Sequence, residues 1–308
     1  MNKIILLLFI GFTITYSQSV KVLENKLLTD KETEQFFHPH FSGDDSKVII
    51  TKSNYKGLYS LNLATETLET ITEEQGAGYK PLITSDRKTI VYRPFVIKSG
   101  KKYNLLKSID IDNKALNIIE SEQRNISVPN QLNAKKMFYL NNKKVKEFSL
   151  PTKEMAKTQK QNKAVYVENN SLYLIENNKT VELNPLGKGV YVWASLSPDG
   201  EKMIFTFGNK GTYVCDLAGK ILLNIEDAHY PKFSPNGKYI SYMIDKDNGY
   251  NYISSDLFVY SIDEQKSYPI TKTDDKIEMF ADWSHNGNEI VYNTLDGEIY
   301  LMKLDIKN

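Results

Sequence analysis

Short runs in which every second residue is apolar recur along the chain, separated by clusters of Pro, Asn, Asp, Ser and Gly. Period-two alternation marks strands with a buried face, and the clusters mark turns. Six runs stand out: Val48-Ile49-Ile50, Thr89-Ile90-Val91-Tyr92, Met137-Phe138-Tyr139, Met203-Ile204-Phe205, Tyr239-Ile240-Ser241-Tyr242 and Glu289-Ile290-Val291-Tyr292. Each follows a segment built as Pro or Ala, any residue, a large apolar residue, Ser or Thr, and a turn of Pro-Asp-Gly type. The clearest copies are Trp193-Ala194-Ser195-Leu196-Ser197-Pro198-Asp199-Gly200 and Tyr230-Pro231-Lys232-Phe233-Ser234-Pro235-Asn236-Gly237; the copy at Pro129 is weak. Beyond the N-terminus no window carries a persuasive helical pattern.

The anchors of the six copies are Pro39, Pro81, Pro129, Ala194, Pro231 and Ala281. A Pro has no N–H to offer a ladder, so it suits the free edge of an innermost strand. Two residues on, Phe41, Ile83, Leu196, Phe233 and Trp283 share one face and pack against a neighbouring unit. A third strand and a shorter polar fourth follow in most copies. Four short strands recurring every 40 to 50 or so residues are the mark of a β-propeller. The pattern therefore predicts an all-β chain with six blades.

The gap of about 65 residues from Pro129 to Ala194 is too long for one blade. Three further strand-like runs lie in it, at Ala164–Val167, Ser171–Ile175 and Thr180–Leu183, so seven blades is the alternative. The last unit ends at its third strand, and Val20 through Leu28 is a spare strand placed to complete it and close the ring, which removes an open edge.

Composition changes the picture little. With 39 basic and 38 acidic residues the net charge is +1, which offers no global field for nucleic acid or an anionic membrane. The single cysteine, Cys215, lies in an apolar strand and reads as a small core residue. At the N-terminus Lys3 precedes the apolar run Ile4–Ile10, with Ser17 before Gln18. That order describes a signal peptide over residues 1–17, too short to span a bilayer. It leaves 18–308 as a single propeller domain, periplasmic or secreted, with no membrane span in the mature chain.

Motifs that carry chemistry are scarce in the chain. There is no Gly-x-Ser-x-Gly elbow, His-Glu-x-x-His, phosphate loop or Cys pair. Of the four histidines, His38 and His229 lie near one end of the inner strands and His285 lies in a hairpin at the other. A metal site would need Gln35 or Glu278 as a further ligand, a thin set, so no metal or other cofactor is expected. Asp245-Lys246-Asp247-Asn248-Gly249 has the start of a calcium loop, but Asp256 stands where the bidentate Glu belongs, and the segment also reads as an ordinary turn.

The Pro-x-Phe-Ser-Pro-Asp-Gly pattern, followed by an alternating strand and an Ile-Tyr strand, is similar to the WD40-like repeat of the TolB-type propellers. The likeness is clear at 193–217, 230–260 and 280–302, recognisable at 39–63 and 81–92, and faint at 129–140. It implies an exported six-bladed propeller that binds proteins or envelope components, and it carries over no catalytic residue. Certain polysaccharide lyases on a related propeller hold a metal in the channel with histidines, which makes a small channel enzyme acting on polysaccharide the alternative. The expected function is non-catalytic binding of a protein or glycan partner through one face. The candidate residues lead into the inner strands: Phe37, His38, Tyr79, Tyr191, Trp193, His229, Tyr230 and Phe280. Exposed, they would form a platform of rigid rings; buried, they would be packing between blades.

Overall fold

A computed structural model describes residues 19–84, 88–133, 135–150 and 162–306. The expected signal peptide lies outside them. No helix among the described residues is long and apolar enough to cross a membrane. Seven antiparallel sheets follow one another along the chain. Blade 1 is Phe37–Phe41, Lys47–Lys52, Lys56–Asn62 and Leu68–Thr72. Blade 2 is Leu82–Ile83, Thr89–Tyr92, Lys101–Asp110 and Leu116–Gln123, with Phe95–Lys98 paired back onto Lys101–Asp110. Blade 3 is Asn130–Gln131, Lys136–Asn141 and Lys144–Ser149, and blade 4 is Lys163–Glu168, Ser171–Glu176 and Lys179–Glu182. Blade 5 is Tyr191–Leu196, Lys202–Phe207, Thr212–Asp216 and Ile221–Ile225. Blade 6 is His229–Phe233, Tyr239–Asp247, Tyr252–Ser261 and Lys266–Pro269. Blade 7 is Glu278–Trp283, Glu289–Thr294 and Ile299–Ile306, and Val20–Thr29 lies antiparallel on its last strand with Val20 opposite Ile306.

Seven blades correct the expected six. The surplus between Pro129 and Ala194 is a blade in its own right, and blades 3 and 4 have three described strands each. Their hairpins turn on residue pairs that both hold positive φ: Asn142-Lys143 (48° and 66°), Asn169-Asn170 (48° and 67°) and Asn177-Asn178 (50° and 62°). Such pairs make tight turns whose twist matches that of the strands. The described hairpins of these blades turn on such pairs and not on Ser-Pro-Asp-Gly, which is why the repeat marks them weakly.

Where the Ser-Pro-Asp-Gly turn is used, each residue has a mechanical role. The Ser197 hydroxyl accepts the Lys202 N–H at 2.9 Å, and the Asp199 carboxylate accepts the Glu201 N–H at 3.0 Å. The same pair of bonds recurs at Ser42 and Asp44, Ser234 and Asn236, and Ser284 and Asn286. Gly200, Gly237 and Gly287 hold φ of 72°, 70° and 76°. In blade 1 Asp45 stands in the glycine position at φ 58°, and its carboxylate accepts His285 Nδ1 at 2.8 Å and two backbone N–H groups of the blade 7 hairpin. His285 is thus a clasp between hairpins.

The core lies between blades. Seven clusters of buried apolar side chains bridge the neighbouring pairs around the ring, among them Ile204 and Val214 with Ile240 and Tyr242 between blades 5 and 6, and Phe41 and Ile50 with Val291 and Leu301 between blades 1 and 7. Between blades 3 and 4 the cluster includes Leu132, Phe138, Ala164 and Ile175. Each fully buried side chain of this size contributes about 1.5–3 kcal/mol. Cys215 is completely buried in the cluster between blades 4 and 5, and burial, with the neighbouring Asp216 charge, pushes its thiol up to about 12. It is a packing residue.

Candidate functional site

Five blades share a backbone feature at the residue before the anchor. His38, Lys80, Trp193, Tyr230 and Phe280 hold φ of 51°, 49°, 51°, 51° and 58°. In four of them the ladder skips residues there, between Phe37 and His40, Val192 and Ser195, His229 and Lys232, and Met279 and Asp282. These are β-bulges, which re-aim a side chain without ending the strand. Left-handed backbone at bulky residues costs of order 1 kcal/mol or more each and persists where its surroundings impose it. Pro39 and Pro231 fit the bulge because neither ladder nor turn needs their missing N–H.

The four re-aimed rings, with Tyr55, Tyr79 and His229, meet in a continuous arc. Tyr79 lies 5.0 Å from Tyr55, Tyr55 stacks on His38 at 5.0 Å, and His38 lies 4.4 Å from Phe280. Phe280 meets Tyr230 at 4.9 Å, Tyr230 meets Trp193 at 5.8 Å, and Trp193 meets His229 at 6.1 Å, all between ring centroids. The arc runs from the approach to blade 2 through blades 1, 7 and 6 to blade 5. All seven rings are partly exposed.

Of the eight candidates, six lie in this arc. Tyr191 does not: it is fully buried against Phe205 and Phe207, and its hydroxyl accepts the Leu186 N–H at 2.8 Å. Phe37 lies instead against Gly297 of blade 7, where a Cβ on that glycine would come within 2.9 Å of its ring. Tyr55 is the member that the repeat pattern does not reveal, because it sits in a short 3-10 turn between strands.

Charge is distributed unevenly along the arc. At its blade 2 end Arg93 and Lys80 both lie over the Tyr79 ring, at 5.5 and 5.8 Å, and neither has a carboxylate partner among the described residues. Arg93 donates to the Ile126 carbonyl at 2.7 Å. At the other end His229 Nδ1 lies 2.6 Å from Asp245 Oδ1. The Asp245 hydrogen bond raises the His229 pKa above its ordinary value against the effect of burial. His38 is the opposite case, pulled down to about 4 by burial, with His40 and Lys232 adding to the effect.

Below the arc, Lys232 and Asp282, each the residue after an anchor, meet across two blades. Lys232 Nζ contacts Asp282, and the Asp282 carboxylate also accepts the Phe41 N–H at 3.3 Å and lies 3.4 Å from His40 Nδ1. Three blades contribute to this cluster. Burial would raise the Asp282 pKa, yet the Lys232 ammonium and His40 outweigh it and hold the carboxyl well below the usual carboxylate range. Burial likewise opposes the Lys232 charge, and Asp282 keeps its pKa raised. Lys232 and Asp282 line a cavity of about 820 Å³ together with Asn130, Gln131 and Ser195.

The histidines do not converge on a metal. Among the described residues no group of three or more His, Cys, Asp or Glu could hold one. Glu278 is buried and accepts from Thr273 Oγ1 at 2.7 Å. The Asp245–Gly249 segment is a hairpin tip: Asp247 Oδ1 accepts the Gly249 N–H at 2.7 Å, and Asn248 Oδ1 accepts from Tyr250 and Asn251.

No family model matches the chain, and no curated protein does. Solved structures do. An oligogalacturonate lyase from Vibrio parahaemolyticus is similar at 13% identity and TM-score 0.50, covering 90% of this chain and 79% of that one. An oligogalacturonate lyase in complex with manganese is similar at 14% identity and TM-score 0.51, with the same coverage. TolB from Acinetobacter baumannii aligns at 16% identity and TM-score 0.46, over 77% of this chain and 55% of that one. At these identities the lyase likenesses show the propeller fold alone.

Proposed function

We propose that this chain is an exported, non-catalytic propeller that binds a protein or glycan partner across the aromatic arc at one mouth of its channel. The observation that carries this reading is the repeated left-handed bulge. The fold spends backbone strain at the same position in blades 1, 5, 6 and 7, and each time the result is a partly exposed ring in one continuous row. Rings fixed in this way lose little conformational freedom on contact, which suits them as interface anchors or sugar platforms. Export follows from the signal-like N-terminus. The strand Val20–Thr29 supplies the last edge of blade 7 and closes the ring.

Retention of a partner tests the reading. The chain is immobilised and exposed to envelope extract and to a panel of glycans, alongside Tyr79→Ala/Phe280→Ala. The double variant should retain its melting temperature to within a few degrees and lose the ligand that the wild type holds. Equal retention by both chains would contradict the proposal.

A second reading, an enzyme acting in the channel on a polysaccharide, draws on Lys232 and Asp282, which line a cavity of about 820 Å³, and on His40, which lies 3.4 Å from Asp282. The electrostatics favour binding over chemistry. A general base works best with a pKa near the operating pH, whereas Asp282 is held low and Lys232 high, each by the other. Nor does the site fit a manganese ion such as one of the lyase structures holds: one carboxylate, one imidazole and an ammonium already seated on the carboxylate are a poor donor set for a divalent cation.

A further inference from the structure

The hairpin of blade 6 stands beside the arc. Its strands Tyr239–Asp247 and Tyr252–Ser261 are among the longest in the ring, and its tip carries Tyr250, which is 94% exposed. Between this hairpin and blade 5 lies a groove of about 440 Å³, walled by Trp193, Tyr250 and Tyr252 and floored by His229, Asp245 and Asp247. Asp245 and Asp247 both line the groove, and Lys246 between them does not. No Lys or Arg lines the groove.

The two carboxylates are only half used. Asp245 Oδ1 is taken by His229 and Asp247 Oδ1 by the Gly249 N–H. Among the described residues neither Oδ2 accepts a hydrogen bond, although the Asp245 side chain is only 7% exposed. Even with His229 protonated beside Asp245, two carboxylates face one cation, so a recessed groove framed by three aromatic rings is short of one positive group. Ring faces attract cations, and a guanidinium adds planar N–H donors for carboxylate oxygens. An acidic ligand would be repelled, and a neutral sugar would leave Asp247 without a counter-charge.

We propose that this groove takes one organic cation, the guanidinium or ammonium of an arginine or lysine side chain presented by a protein partner. The inference deepens the binding reading by naming the partner's chemistry. It shares Trp193 and His229 with the arc, but it can stand or fall separately.

The chain has two tryptophans, and only Trp193 lies in the groove, because Trp283 is 6% exposed in the core between blades 6 and 7. Tryptophan fluorescence of the full chain is therefore titrated with Nα-acetylargininamide, Nα-acetyllysinamide, the neutral citrulline analogue and a neutral oligosaccharide. The expected result is a saturable change at millimolar concentration with the two cations and none with citrulline or the sugar. Asp247→Asn keeps an acceptor for the Gly249 N–H, so the hairpin stays formed, and it should weaken cation binding severalfold. Equal response to citrulline, saturation by the sugar, no saturable change with either cation, or unchanged affinity in Asp247→Asn would each overturn the proposal. If the titration fails while Tyr79→Ala/Phe280→Ala still abolishes partner retention, the groove is wrong and the arc stands; the reverse pattern separates the two the other way.

Discussion

At Asp282 one side chain ties three blades together: the Lys232 ammonium from blade 6, the Phe41 N–H and the His40 ring from blade 1. Removing its charge leaves Lys232 recessed with no counter-charge. Breaking a fully buried pair costs about 3–5 kcal/mol, and the partial exposure of this one brings the expected loss for Asp282→Asn to about 2 kcal/mol, read as a lower urea midpoint at unchanged slope. Replacing both partners, as Lys232→Met/Asp282→Leu, should recover most of it. His38 supplies a pH test. Its folded pKa of about 4 lies below the ordinary 6.5, so folding favours the neutral ring. That contribution is complete above pH 6.5 and is lost as the pH falls toward 4. Between pH 7 and 4 the wild type should lose about 1–3 kcal/mol more than His38→Gln, the partial exposure of the ring favouring the lower end, measured by chemical unfolding at each pH.

The elements differ in how far the sequence announces them. Blades 1, 5, 6 and 7 were legible because Ser with Asp or Asn makes a turn whose bonds are local, and blade 2 through its anchor Pro81 and the run Thr89–Tyr92. Blade 3 showed only as the weak copy at Pro129, and blade 4 only as three surplus strand-like runs without an anchor, because Asn-Lys and Asn-Asn pairs leave a fainter mark. At Asn170, φ is 67°. An alanine there should cost about 1 kcal/mol, seen as a lower melting temperature, whereas Asn170→Gly should cost nothing, since only the residue with a Cβ pays for left-handed backbone. The arc was legible in part for the same reason. Trp193, Tyr230 and Phe280 stand at a fixed repeat offset, but the bulge that turns them outward does not show in their identities. Tyr191, two residues before Trp193, looks equivalent on paper and is buried. Tyr55 and the Asp282 cluster depend on how separate blades approach one another, which a repeat motif cannot encode.

At the scale of the molecule, each blade is stable only against its neighbours, so an exposed edge weakens the whole ring. Deleting residues 20–29 from the chain, which strips the strand opposite Ile299–Ile306, should lower the melting temperature and broaden the transition. Unfolding identical to that of the intact chain would mean that the strand merely decorates blade 7. Function belongs to this scale too, because the proposed binding surface is assembled from five blades.

Side-chain footprinting with hydroxyl radicals, on the chain alone and with its retained partner bound, reads that surface directly. Protection of Tyr55, Tyr79, Tyr230 and Phe280, with His285 in the hairpin at the other end of blade 7's inner strand unchanged, is the predicted result. Protection confined to the outer strands or to the hairpin of His285, with the arc as reactive as in the free chain, would contradict it.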